Sequence, residues 1–97
     1  MKNDKKLTDL RNDIDKIDFK IIDLLKKRGD LSVRIANYKK MHGLAILQPE
    51  REEKALKKRI NYANKSILSS SFIIRLFKVI FLESKKQQKN GKIIVKL

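Results

Sequence analysis

Apolar residues recur along the first part of the chain at alternating steps of three and four: Leu7, Leu10, Ile14, Ile17, Ile21, Leu24, then Leu31, Ile35 and Tyr38. That spacing draws a heptad-like seam along one face of a helix. No proline interrupts it, and Gly43 stands where a helix stop is expected. The pattern predicts a first helix over about residues 4–42. Gln48-Pro49-Glu50 reads as the start of a second, because proline suits the first helical position. Glu50, Glu52 and Glu53 lie at its positive end and Lys57, Lys58 and Arg59 later, which places it at about 49–64. Ser66–Ser71 is a break with several N-cap candidates. A third helix is predicted over about 70–90, carrying Phe72, Ile73, Leu76, Phe77, Ile80 and Phe81 and ending at Gly91. The tail 91–97 alternates weakly and suggests no role. The reading is an all-α fold, a single domain over 1–97 with three helices.

A first helix of some 38 residues is about 57 Å long at ~1.5 Å per residue. A compact domain of this size has a radius of gyration of only about 13 Å. The helix overshoots any bundle that one chain makes, so its far half must pack on something, and a second copy is the simplest partner.

Composition narrows the chemistry. There is no cysteine and one histidine, His42. Disulfides and thiolate metal sites are excluded, and a histidine metal site has too few ligands. The basic start is followed by no apolar segment, and Phe72–Leu82 is broken by Arg75 and Lys78. Neither a signal peptide nor a membrane span is expected, and the expected location is the cytoplasm. The net charge of +14 admits two readings. One is nucleic-acid binding; the other is lysine spread over solvated helix faces. The absence of a basic run or an aromatic-flanked basic motif favours the second. A positive field also draws in a small dianion.

The seam breaks at Arg28, where an arginine in an apolar stripe calls for an anion. A register-setting role, or an intersubunit pair with Asp18 or Asp23, would also explain it. On the third helix the stripe Phe77, Ile80, Phe81 turns polar at Ser84 and Gln88; a helix end emerging into solvent would do the same. Lys39 lies close to three turns beyond Arg28, on a similar side and about 16 Å away. Arg11 lies about 25 Å before Arg28, too far to share a site within one chain but reachable from the partner of an antiparallel dimer. Arg51 and Glu52 open the second helix. Together these suggest a pocket of cations, amides and hydroxyls with no nucleophile–base pair, metal cluster or glycine-rich loop. It suits a polyanionic small molecule whose reaction needs charge stabilisation.

The stretches Leu7–Asp18, Ile22–Arg28, Pro49–Glu52 and Arg75–Gln88 resemble, in their joint order and spacing, the all-α (AroQ-type) chorismate mutases. The resemblance covers roughly residues 5–90. It implies an intertwined homodimer with two equivalent sites, no cofactor, and the Claisen rearrangement of chorismate to prephenate in phenylalanine and tyrosine biosynthesis. It implies that Arg28 and the partner's Arg11 hold the substrate carboxylates. Lys39 would contact a carboxylate and the ether oxygen, and Gln88 would donate to that oxygen. Ser84 would contact the ring carboxylate, Glu52 would accept from the ring hydroxyl, and Arg51 would support the carboxylate network. Ile35 and Phe81 would be apolar walls. Two positions depart from the family pattern: Gln48 replaces a usual acid that helps bind the ring hydroxyl, and Lys85 replaces a common apolar wall residue. An isochorismate-pyruvate lyase on the same fold, a non-catalytic domain sensing chorismate or an aromatic amino acid, and a basic helical nucleic-acid binder are the competing functions.

Overall fold

The computed structural model describes residues 2–45 and 47–90, and these form three helices: α1, Lys2–Met41; α2, Pro49–Ala63; and α3, Ser70–Asn90. The expected stop at Gly91 and the tail lie outside the described residues. No helix among the described residues is long and apolar enough to cross a membrane.

Each boundary has a local cause. Gly43 adopts φ +64°, a left-handed conformation that costs glycine nothing. The Leu44 N–H then donates to the Lys39 carbonyl at 2.8 Å and the Gly43 N–H to the Lys40 carbonyl at 3.4 Å. This pair of bonds is the Schellman stop, and it closes the turn that carries Lys39. Pro49 opens α2 at its first turn, and the Gln48 carbonyl accepts from the N–H groups of Arg51 and Glu52. Among the serines of the break, Ser69 caps α3: its hydroxyl accepts the Phe72 N–H at 3.2 Å.

α3 packs on both α1 and α2. The face that α1 offers to α3 is not the apolar seam. Its buried positions are Gly29, Ser32, Val33 and Ala36, a stripe of small residues. A Cβ at Gly29 would stand 2.8 Å from the Gln87 amide nitrogen, so the end of the Gln87 side chain rests directly on Gly29. Ala55 of α2 and Ile73 of α3 complete the buried core.

The seam residues predicted to be buried stand exposed on the single chain: Leu31 at 55%, Ile35 at 50% and Tyr38 at 58%. From Asp4 to Lys27 every residue of α1 is exposed. The molecule is correspondingly drawn out, with extents of 63 × 35 × 15 Å and a radius of gyration of 17.6 Å.

Candidate active site

Where the C-terminal half of α1 meets α2 and α3, a cleft of about 380 Å³ opens. It gathers Arg28, Ile35 and Lys39 from α1, Gln48, Arg51 and Glu52 from the start of α2, and Phe81, Ser84 and Gln88 from α3. These are nine of the ten positions that the sequence singled out. Arg11 is the exception: it lies on the exposed half of α1 and does not line the cleft.

Helical geometry explains the convergence. Arg28, Leu31, Ile35 and Lys39 follow one another at steps of three and four, so they form one stripe beside the small-residue stripe, whose Ser32 also lines the cleft. Phe81, Ser84 and Gln88 do the same on α3. The packing of α1 on α3 brings the two stripes together.

Arg28 is half-buried, and its guanidinium donates to the Ser84 hydroxyl. That hydroxyl spends its own proton on the Ile80 carbonyl at 3.0 Å, which leaves its lone pairs for Arg28. Ser32 donates to the Ser84 carbonyl at 3.3 Å and ties α1 to the same turn. Arg28 also stands 5.7 Å above the centre of the Phe81 ring. Burial, and secondly the charge of Arg59, push its pKa below the usual arginine value. The alternative pair with Asp18 or Asp23 is one between subunits; within the chain, Asp23 lies 3.9 Å from the exposed Lys26.

Arg59 is the cation that sequence reading missed. The expected role of a cation favoured by the helix end does not apply to it, because α2 runs on to Ala63 and Arg59 is not in its last turn. Its guanidinium turns into the cleft, donates to the Ala55 carbonyl at 2.8 Å, and lies 5.3 Å and 5.6 Å over Phe77 and Phe81. The signal was present: Glu52, Ala55 and Arg59 share a face at steps of three and four. Ser84 and Gln88 do not simply emerge into solvent; both line the cleft, half-buried. Lys85 lines it too, and its ammonium pairs with Glu52 at 2.8 Å.

Among the described residues the lining thus holds five cations, Arg28, Lys39, Arg51, Arg59 and Lys85, against one carboxylate, Glu52. Such a site takes a small molecule with several negative charges. Among known proteins, the family profile described as chorismate mutase type II matches residues 10–89. The chain belongs to this chorismate mutase family. It is an isomerase of the chorismate mutase type, and its cleft has the charge that such a substrate demands.

Curated relatives agree. A 4-amino-4-deoxychorismate mutase of Streptomyces venezuelae is 36% identical over 83 residues, covering 86% of this chain and 81% of that protein. The chorismate mutase of Methanocaldococcus jannaschii is 29% identical over 85 residues, covering 88% of this chain and 86% of that one. A bifunctional chorismate mutase/prephenate dehydratase of Buchnera aphidicola is 42% identical over 79 residues, 81% of this chain but 20% of that protein. The mutase chain spans about a fifth of that bifunctional relative, and nothing of the dehydratase activity transfers with it. No solved structure matches at the threshold these relatives pass.

Proposed function

We propose that the chain works as a cytoplasmic homodimer that rearranges chorismate to prephenate, and that each site borrows Arg11 from the partner. The observation that carries this reading is the placement of Lys39 and Gln88 on opposite helices of one cation-rich cleft. In the transition state the breaking C–O bond leaves negative charge on the ether oxygen. Lys39 and Gln88 bind that charge more strongly than they bind the ground state, and only the difference accelerates the step. Arg28 and the partner's Arg11 hold the two carboxylates, with Arg51 behind them, so that the enolpyruvyl arm lies over the ring. Ser84 holds Arg28 and faces the ring carboxylate, Gln48 and Glu52 receive the ring hydroxyl, and Ile35 and Phe81 wall the site. A millionfold acceleration requires about 8 kcal/mol. Two charge-stabilising contacts of ~3 kcal/mol each, with orientation, reach it.

Dimerisation is supported by the uncovered half of α1. Nine large apolar residues between Leu7 and Leu25 stand 41–63% exposed. Burying what remains of each contributes on the order of 1 kcal/mol. Two chains together gain ~20 kcal/mol, more than the roughly 4–15 kcal/mol that association costs.

The test mixes two inactive variants, Arg11→Ala and Arg28→Ala, after joint unfolding and refolding, and follows loss of chorismate absorbance with identification of the product. A mixed dimer holds one site with both arginines intact. Recovery to about a quarter of wild-type turnover is expected, since half the dimers are mixed and half their sites are whole. No recovery would sink the shared site. A second reading, suggested by the Streptomyces venezuelae relative, is that the ring bears an amine in place of the hydroxyl.

A further inference from the structure

The choice between those two ring substituents rests on the mutase reading above, and the cleft contains a device that bears on it. A substrate with two carboxylates places them on cations, which the cleft has in excess. Its remaining polar ring substituent must be met by an acceptor. Glu52 is the one carboxylate among the described residues lining the cleft, and the neighbouring Gln48 is neutral. Glu50 opens onto a separate groove beside Pro49.

Glu52 is not available as an uncompensated charge. Lys85 reaches across from α3 and holds it at 2.8 Å, joining the start of α2 to the turn of α3 between Ser84 and Gln88. We propose that Lys85 is a specificity-determining residue: by neutralising Glu52 it makes the cleft select a ring hydroxyl over a protonated ring amine. A hydroxyl donates one hydrogen bond to the free lone pairs of the Glu52 carboxylate and needs no net negative charge there. A ring ammonium on those same lone pairs feels the Lys85 ammonium just behind the carboxylate, so repulsion offsets much of the attraction while the cost of its desolvation remains. The pair is partly exposed, with side chains 42% and 37% accessible, so replacing Lys85 disturbs no core.

The experiment measures kcat/KM for chorismate and for 4-amino-4-deoxychorismate on the full chain. Wild type, Lys85→Met and Lys85→Arg are compared at neutral pH. Wild type should prefer chorismate by about tenfold or more, and Lys85→Met should move the ratio at least about tenfold toward the amine, the effect of one neighbouring charge. Lys85→Arg keeps the charge and should keep the ratio. A merely structural Lys85 would change both substrates alike. A ratio unmoved by Lys85→Met, or a wild type that prefers the amine, overturns the proposal and leaves the mutase reading standing. A wild type that turns over neither substrate overturns both.

Discussion

Arg28 and Arg59 approach one aromatic ring, Phe81, from two different helices. Each gains a cation–π contact of about 0.5–1 kcal/mol, yet they repel, and that repulsion joins burial in lowering the Arg28 pKa. A cation whose pKa is lower folded than unfolded opposes folding wherever it is charged, and the opposition is lost only as pH rises through the folded value. Arginine keeps its proton in proteins, so the cost persists across the neutral range and a bound dianion relieves it. Arg59→Met keeps an apolar stem over Phe77 and Phe81 and removes the repulsion. The variant should melt within a few degrees of wild type while KM for chorismate rises about tenfold, the worth of one charge contact. Lys39 behaves differently. Lys39→Ala should lower kcat about 10²–10³-fold, the typical loss of one transition-state donor, with little change in melting temperature. A matching fall in stability would show that Lys39 holds the fold instead. Arg28 and Lys39 were legible in the sequence because they interrupt or extend an apolar stripe. Arg59 was legible only in part: the sequence places it on one face with Glu52 and Ala55, but its contacts with Phe77 and Phe81 exist only once α3 lies beneath it.

At the scale of the helices, the Schellman stop governs more than where α1 ends. The Lys39 carbonyl accepts the Leu44 N–H, so the turn that aims Lys39 is held by Gly43. No described residue lies within 4 Å of a Cβ added there, so the penalty expected is one of backbone conformation. Gly43→Ala should cost about 1–2 kcal/mol in chemical denaturation, and Gly43→Asn should cost less because asparagine tolerates the left-handed region. Equal costs for the two would argue against the conformational cause. Helix identity and approximate ends were readable from period, proline and glycine alone. The docking face was not. The seam Leu31, Ile35, Tyr38 has the strongest apolar period, but α3 rests on Gly29, Ser32, Val33 and Ala36. Glycine and serine carry no hydrophobic signal; what recommends them is that Gly29 leaves room for the Gln87 side chain and Ser32 donates to the Ser84 carbonyl. The seam residues released from that duty include Leu31 and Ile35, which wall the cleft.

The whole molecule is 63 Å long and 15 Å thin, a shape dictated by a 40-residue helix of which little more than the last third is covered. An uninterrupted helix of this length implies such a shape from sequence alone, since helical rise is independent of tertiary context. Ile17→Glu, at the middle of the uncovered face, should cause the chain to elute at the monomer's mass and lose nearly all turnover. A fully active monomer would remove the need for a shared site.

The bare half of α1 also bears on how a cell could set the output of such an enzyme. If every working site takes side chains from two chains, then at low abundance the number of sites grows with the square of the number of chains made, not in proportion to it. Halving the rate of synthesis would then cut capacity about fourfold in that regime. Above the association threshold the same change would cut it only about twofold. Expression level would act as a graded threshold on flux without any effector, built from nothing more than a helix too long for its own domain.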